Sequence, residues 1–545
     1  MTDTVHHSLT TEQAAEPSNR LASFNPATGE VLGYVSLMTP EELNATIEAA
    51  ADAARIWGQT SHASRRAYLQ RLRRVLLQES DALAQLIASE QGKTPGEAYV
   101  TEIFPSLAYL KWLESDGLKM LRSRRVSPSH PVFGSKRMYY RYDPLGVIGI
   151  IAPWNYPFGI PFMQLVAALA AGNTVVVKPS PFTPLVGQKI ATICREAELP
   201  AGVVNVVHVR DEHAPLIVQH PLVDKIVFTG SVATGRKVMA TAAAGPKDVV
   251  LELGGKDAAI VAYDADLERA IPGITWMAME NAGQTCASVE IALVHRAVYD
   301  AFVNGVVDIV RGLRVGNPLD PNTDVGPLSN ARQLQIVEEQ VQDALAKGAR
   351  ALVGGHRLEG PGYFFAPTVL VDVTPDMRIV QEETFGPVLV VLPVASIEEA
   401  IAFVNNMPFG LTASVWTQSP VLAHEVAARL KVGAVNVNDH ACQWGEPKAT
   451  WGGVKSSGFG RVIGPYGLYE LVNIKFVTEE YREKALEAWW YPYDKNVPAL
   501  MSDFAQALYG PVIKRPLALL KLMFNRRARE RVNFVEYVRH LRTWF

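Results

Sequence analysis

Two hydrophobic patterns alternate through the middle of the chain. Short apolar runs, Val147–Ile151, Thr174–Lys178 and residues 203–207 and 225–228, are separated by longer stretches, residues 162–171 and 185–198, in which apolar side chains return every three or four positions. Unbroken apolar runs suit strands covered on both faces, and the longer period suits helices lying over them. The pattern therefore predicts an α/β fold with a mainly parallel sheet. Upstream, residues 31–35 follow a polar turn, Phe24 to Glu30, and predict a strand, while residues 44–57 and 65–89 predict scaffold helices, most clearly at Leu69, Leu72, Leu76 and Leu77. Residues 122–142 mix basic residues with β-formers such as Val132, Phe133, Tyr139 and Tyr140. From Lys256 to about Gly453 a second α/β unit is predicted, with a helix over 330–347 and strands over 387–394 and 435–438; residues 468–481 predict an alternating strand.

Ligands on such sheets bind beyond the carboxyl ends of the strands, so the loops there carry the candidate chemistry. Pro153-Trp154-Asn155-Tyr156-Pro157 follows one strand; its amide side chain can donate to an oxygen that gains charge, although an Asn between prolines is also an ordinary turn former. Lys178-Pro179-Ser180-Pro181 places a flexible cation at a strand end, suited to ribose or phosphate. Phe228-Thr229-Gly230-Ser231, continuing to Gly235, can bring backbone amides and a helix N-terminus to a pyrophosphate, though the spacing is not the Gly-x-Gly-x-x-Gly fingerprint and also suits a capping turn. Glu252 ends a strand before Gly254-Gly255. Thirty-four residues later Cys286 sits among small and hydroxylated neighbours, Asn281 to Ser288, where little bulk screens the sulfur. A lone cysteine is commonly a small buried apolar residue, but a thiolate here would be a strong nucleophile.

Composition narrows these readings. A chain of 545 residues is too long for one core and predicts two or three domains. Three cysteines, Cys194, Cys286 and Cys442, exclude a disulfide framework and fit a reducing, cytoplasmic setting. A net charge of −3 gives no reason to expect nucleic-acid binding, and no apolar run approaches the length of a membrane-spanning helix. Residues 1–20 are polar and read as a flexible tail rather than a signal peptide.

Together, Leu251 to Lys256, Asn281 to Glu290, Ala152 to Pro157, Lys178-Pro179-Ser180, Phe228 to Ser231, Glu382-Glu383-Thr384-Phe385-Gly386-Pro387 and Gly452 to Gly458 resemble the NAD(P)-dependent aldehyde dehydrogenase superfamily, in the family's order, from about Phe24 to about Phe476. The resemblance implies a Rossmann-like cofactor domain (residues 21–121 and 147–255), an α/β catalytic domain (256–455) and a small β oligomerisation ribbon (122–146 and 456–485). It implies that Cys286 attacks an aldehyde, that Asn155 and the Cys286 amide hold the oxyanion, and that Glu252 activates water. That glutamate argues against a related branch that passes the acyl group to coenzyme A. Ile151, Pro153, Trp154, Asn155, Lys178, Ser180, Phe228, Thr229, Gly230, Ser231, Gly235, Leu253, Gly254, Glu383 and Phe385 would hold NAD or NADP. Pro181 stands where NAD-preferring members often carry a glutamate, which leaves NADP open. No metal is needed, and a homodimer or homotetramer is expected.

Residues 486–545 extend past the firm part of the resemblance. Residues 514–545 hold nine basic side chains against two acids, and Phe534, Val538, Leu541 and Phe545 share a helical face. Such a stretch suits an anionic membrane surface, and equally docking on another subunit or on the protein's own acidic body. Some relatives acting on fatty aldehydes carry hydrophobic C-terminal extensions, which implies peripheral contact with the cytoplasmic membrane face and a medium or long aliphatic substrate. The rival readings are a coenzyme A-acylating enzyme, a non-catalytic scaffold of the same fold and a thiol hydrolase.

Overall fold

The computed structural model describes residues 19–129, 133, 136–481, 486–487 and 489–531, so the predicted helical face at Phe534 to Phe545 lies outside the described residues. The chain forms two compact units, residues 1–120 with 144–472 and residues 121–143 with 473–545.

In the first unit, strands β1 (Val147–Ile151), β2 (Thr174–Lys178), β3 (Val204–Val206), β4 (Lys225–Thr229) and β5 (Asp248–Glu252) run parallel. The next seven, β6 (Asp257–Val261), β7 (Val289–His295), β8 (Arg350–Val353), β9 (Thr368–Val371), β10 (Val388–Val394), β11 (Thr412–Trp416) and β12 (Ala434–Val437), form a second sheet in the order β8-β9-β10-β7-β6-β11-β12, parallel apart from edge strand β8. A two-residue strand, β13 (Gly458–Phe459), returns to the first sheet antiparallel to β5, giving β13-β5-β4-β1-β2-β3. Both β1 and β6 are buried at every residue, as unbroken apolar runs require when helices cover both faces.

In the first sheet the chain winds from β1 outward through β2 and β3, then restarts at β4 on the other side of β1. The crevice between the carboxyl ends of β1 and β4 is the topological switch point, where a ligand fits without crossing a connection. Helix α1 (Gly159–Ala171) follows β1, and α2 (Val232–Ala242) follows β4.

Several expectations shift. The helix expected over 65–89 is two helices, His62–Gln78 and Ser80–Gln91, meeting at Glu79. The strand expected over 468–481 starts at Val472, after a short helix, Gly464–Tyr469. Proline at that helix's first turn starts it, and the buried Leu468 and Leu471 follow helical rather than alternating spacing. Residues 456–472, expected in the oligomerisation element, belong to the first unit through β13 and this helix.

The second unit has a three-stranded sheet with Lys136–Pro144 between Arg124–Val126 and Val472–Glu480. Lys136 pairs with Glu487 at 2.6 Å, and Tyr139 Oη donates to Glu479 at 2.7 Å. Its C-terminal part is helical: α3 (Val497–Tyr509), α4 (Arg515–Phe524) and α5 (Arg526–Arg531). Leu500, Phe504, Ala507 and Leu508 bury against Ala518, Leu522 and Ala528, so this extension carries its own small core.

Candidate active site

The segment Leu253 to Lys256 joins the carboxyl end of β5 to the amino end of β6. It thereby sets the carboxyl edge of the first sheet against the amino edge of the second. From the first edge come the loops after Ile151, Lys178 and Thr229, with Glu252 itself. From the second come Cys286, before β7, and Glu383 to Phe385, before β10. The second sheet thus contributes strand starts, not strand ends.

The two glycines of the joining segment are there because two neighbours press on it. A Cβ at Gly254 would overlap the Glu383 carboxylate, and one at Gly255 would overlap the Cys286 carbonyl oxygen. The Gly255 N–H donates to Glu383 Oε1 at 3.0 Å. One backbone turn therefore joins the Glu252 strand end to the Cys286 loop and the Glu383 loop.

Lys256 and Glu290 close the arrangement from beneath. They form a buried ion pair, with Lys256 fully covered and Glu290 nearly so. Lys256 Nζ also donates to Thr384 Oγ1 at 2.8 Å. The Glu290 carboxylate accepts from the Thr384 N–H (2.9 Å) and the Phe385 N–H (3.0 Å). These bonds hold Phe385 in a left-handed conformation, φ 55°, which a phenylalanine seldom adopts unaided. Its ring meets Trp154 edge to face, 5.4 Å between centroids.

Cys286 lines a cavity of about 300 Å³ together with Glu252, Thr285 and Tyr156. Burial raises its thiol pKa well above the ordinary value, and the nearby Asp257, Glu252 and Glu383 carboxyls raise it further, while the Ala287 backbone opposes them. The Cys286 loop is built from three successive left-handed residues, Asn281 (φ 54°), Ala282 (φ 52°) and Gly283 (φ 71°). Two of these are strained, and the loop is pinned by hydrogen bonds: Asn155 Nδ2 donates to the Gln284 carbonyl at 3.0 Å, and Asn281 Nδ2 donates to the Asn155 carbonyl at 3.0 Å. Asn155 thus reaches the Cys286 loop with one amide hydrogen.

Glu252 is 3% exposed. Among the described residues neither carboxyl oxygen has a partner at hydrogen-bonding geometry, although the Trp451 indole and the Arg461 charge are near enough to favour the carboxylate slightly. Burial outweighs both and pushes its pKa up to about 8. Glu383 is likewise raised to about 8, by burial first and then by Glu290.

A polar layer behind the cavity has no signature in any local motif. Tyr156 Oη donates to Glu280 Oε2 at 2.7 Å, and Thr285 Oγ1 donates to the same oxygen at 2.8 Å. Burial and the neighbouring Glu97 raise Glu280 to about 7. Lys93 lies 3.7 Å from the centre of the Tyr156 ring and 2.8 Å from Glu102. Glu102 in turn accepts from the Phe158 and Gly159 N–H groups, both at 2.8 Å, and so fixes the end of the Asn155 loop. His440, held neutral by burial with its pKa lowered to about 4, lies 3.0 Å through Nε2 from the Ala287 carbonyl. Apart from Thr285–Glu280 and Lys93–Glu102, these pairings join residues more than fifty positions apart, and no local motif encodes them.

The predicted nucleotide residues collect at the switch point. Ile151, Lys178 and Phe228 stand at one level in neighbouring strands. Thr229 ends β4; Trp154, Gly230 and Ser231 follow in the loops, Leu253 and Gly254 belong to the joining segment, and the Glu383 carboxylate packs against Gly254. Gly235 lets α2 approach Leu253, whose side chain a Cβ would strike. Ser231 is the N-cap of α2 and accepts from the Thr234 N–H at 3.3 Å; Ser180 Oγ accepts from the Phe182 N–H at 3.3 Å. Lys178 pairs with Asp211 at 3.1 Å, so a carboxylate stands beside the strand end where Pro181 offers none. A helix N-terminus, a strand-end cation, an apolar ring pair and a buried carboxyl are the donor set a dinucleotide requires, and the site fits one.

This architecture has close counterparts. A family model described as "Aldehyde dehydrogenase family" matches residues 13–477. The chain is 36% identical over 494 residues to 4,4'-diapolycopene aldehyde oxidase of Methylomonas sp, covering 90% of this chain and 91% of that protein. It is 38% identical over 459 residues to mitochondrial succinate-semialdehyde dehydrogenase of Mus musculus, covering 83% and 86%. Among solved structures, the NAD+ complex of aldehyde dehydrogenase from Bacillus cereus superposes with a TM-score of 0.81 at 36% identity, covering 85% of this chain and 94% of that one. The chain belongs to the aldehyde dehydrogenase family. It is an NAD(P)-dependent enzyme that oxidises aldehydes.

Two stability effects follow. Lys256→Met leaves Glu290 buried and uncompensated, and is expected to cost about 3–5 kcal/mol, read as a lower urea midpoint; a change under about 1 kcal/mol would show that the pair does not hold the loops. Glu252, with its pKa raised in the fold, holds a proton that the unfolded chain loses near pH 4.5. Its contribution to stability is complete below that pH and is lost as pH rises through about 8. Glu252→Gln is therefore expected to raise the melting temperature at pH 9 more than at pH 5; an equal shift at both would contradict the raised pKa.

Proposed function

We propose that the chain hydrolytically oxidises an uncharged aliphatic aldehyde of medium or long chain, with Cys286 as nucleophile, Asn155 as oxyanion donor and Glu252 as base. The observation that carries this reading is that Cys286 and an unpartnered, buried Glu252 line the same cavity. The Cys286 thiol gives its proton to the Glu252 carboxylate, which later releases it to solvent, as the sulfur bonds to the carbonyl carbon and the carbonyl π pair moves onto the oxygen. The Asn155 amide and the Cys286 N–H stabilise that oxyanion, a type of contact worth about 3–4 kcal/mol per donor. Bound NAD(P)+ supplies the hydride acceptor that brings the adduct to the thioester level. Glu252 then takes a proton from water as the water oxygen attacks the thioester, the C–S bond breaks and the carboxylic acid leaves. Ile151, Pro153, Trp154, Lys178, Ser180, Thr229 to Ser231, Glu383 and Phe385 would hold the nucleotide.

The cavity supports the substrate class. Ile160, Trp276, Met277, Trp444, Trp451 and Val462 give it apolar walls, and its carboxyl lining is Glu252, Glu280 and Asp439, with no Lys or Arg among the described residues. A carboxylate on the substrate would face carboxyls without a counter-charge. Of the two kinds of aldehyde in the relatives' names, the uncharged one suits this lining. Exposed Ile474 and Phe476 on strand Val472–Glu480, at the edge of its sheet, support pairing between subunits in a homodimer or homotetramer. We propose as well that residues 486–545 bring the enzyme to a membrane surface, where such substrates concentrate.

Absorbance growth from reduced cofactor, without coenzyme A and with Cys286→Ala as control, tests the reaction. Turnover is expected to rise with pH along a limb near 8, set by Glu252, and Glu252→Gln should lower steady-state turnover at least a hundredfold while keeping a first burst of reduced cofactor. Turnover that requires coenzyme A would overturn the hydrolytic reading. Across substrates, kcat/KM for six- to twelve-carbon alkanals (about this range, as a cavity of this size accepts) should exceed that for succinate semialdehyde by about tenfold or more. Equal values, or equal turnover of short and long chains, would refute the substrate class.

A further inference from the structure

The apolar residues of the C-terminal extension fall into two sets. One set is the small core shared by α3, α4 and α5. The other is bare: Val512, Ile513, Leu517, Leu520 and Phe524 are 70%, 91%, 59%, 51% and 74% exposed. Continued at the 100° per residue of an α-helix, Ile513, Leu517, Leu520 and Phe524 fall within about 60° of one another, while the buried Ala518 and Leu522 point elsewhere. Helix α4 is therefore covered on one side by its partner helix and open on the other along a continuous apolar stripe that begins in the α3–α4 turn.

Cations outnumber acids around this stripe, although Lys521 lies 3.9 Å from Asp503 and Arg526 pairs with Glu530 at 2.8 Å. Residues 511–529 contain six basic side chains, Lys514, Arg515, Lys521, Arg526, Arg527 and Arg529, and no acid. Lys514 and Lys521 are exposed and lie on one flank of the stripe. The whole chain is −3, so the remainder outside this +6 segment is −9 by difference. Arg527 binds the Trp490 and Pro492 carbonyls, at 2.8 and 3.0 Å, and pairs with Asp494 at 2.9 Å, which ties the exposed aromatic run Trp490, Tyr491 and Tyr493 to the same hairpin.

We propose that this face is a docking surface for an anionic lipid bilayer: Ile513, Leu517, Leu520 and Phe524 enter the interface, Lys514, Lys521 and Arg529 meet acidic headgroups, and the aromatic run sits at headgroup level. The proposal rests on the membrane reading of the extension given above and commits it to one lipid class and one face. Anionic lipid is the occupant that complements the charge. A second copy would set one +6 segment against another, and a zwitterionic surface would leave the cations unpaired. The acidic remainder is repelled by the same surface, which orients the molecule with the hairpin toward the bilayer. A short amphipathic helix with basic flanks lies in the interface plane, and its length does not span it.

Flotation of the full-length protein with vesicles tests this. Vesicles of phosphatidylcholine with about one third phosphatidylglycerol are expected to carry the protein at low salt, and vesicles of phosphatidylcholine alone are not. At about five-fold per cation, Lys514→Gln/Lys521→Gln/Arg529→Gln should weaken partitioning about a hundredfold. Leu517→Ser/Leu520→Ser/Phe524→Ser, at exposed positions outside the hairpin core, should weaken it at least tenfold. Aldehyde oxidation in solution should be unchanged in both variants, so a failure of lipid binding is distinguishable from a failure of the catalytic reading. Equal partitioning into both vesicle types, or undiminished binding by the stripe variant, overturns the proposal. So does a stripe variant that changes oligomeric state without lipid, because the face is then a subunit interface.

Discussion

The site depends on one buried ion pair. Lys256 immediately precedes β6 and Glu290 is the second residue of its neighbour β7, so their contact fixes where the joining segment and the Cys286 loop enter the second sheet. The pair is not valuable as a source of raw stability, since desolvating two charges offsets most of their attraction. Its worth is positional. The Glu290 oxygens also capture two N–H groups of the Glu383 loop, so a single carboxylate sets the spacing of three segments far apart in sequence. With Gly254 and Gly255 free of side chains, the three segments close to backbone contact, and the residue types of the motifs follow from that closure.

The same desolvation that makes this closure costly tunes the chemistry. Cys286 and Glu252 both have pKa values raised by burial, and each carboxylate nearby makes the thiolate less favourable. A charge on Glu252 therefore opposes ionisation of the Cys286 thiol. That repulsion suits the two halves of the reaction proposed above. If the Cys286 proton passes to Glu252 as the sulfur attacks, the two negative charges never coexist; and an acylated sulfur carries no charge, so an ionised Glu252 would face no thiolate when water is to be activated.

How much of this could be read from the sequence follows from which interactions are local. Strands β1 and β2 were legible to the residue, because burial on both faces leaves an unbroken apolar run whose ends are marked by turn residues. Cys286, Glu252, Asn155 and Glu383 were legible through contiguous motifs, and the structure gathers them around one joining segment. Glu280, Glu102, Lys93 and His440 were not, because each acts through a partner that only the fold brings near. The break at Glu79 and the helix Gly464–Tyr469 were missed for a different reason: their spacings fit two patterns, and tertiary packing chose between them.

The extension shows a further limit of composition as a guide. Its basic and apolar content, read alone, suits a membrane surface and a subunit interface equally. The structure separates the apolar residues into those that hold the hairpin together and those that do not, and only the second set is free to act on a partner. Burying a core this small leaves little margin for retaining a bare apolar stripe beside it, since exposed Ile513 and Phe524 gain nothing from folding. A stripe of that kind, with an excess of cations along one flank, is unfavourable in water on both counts. Contact with an apolar interior bounded by negative charge relieves both at once, and neither a neutral surface nor a like-charged one does.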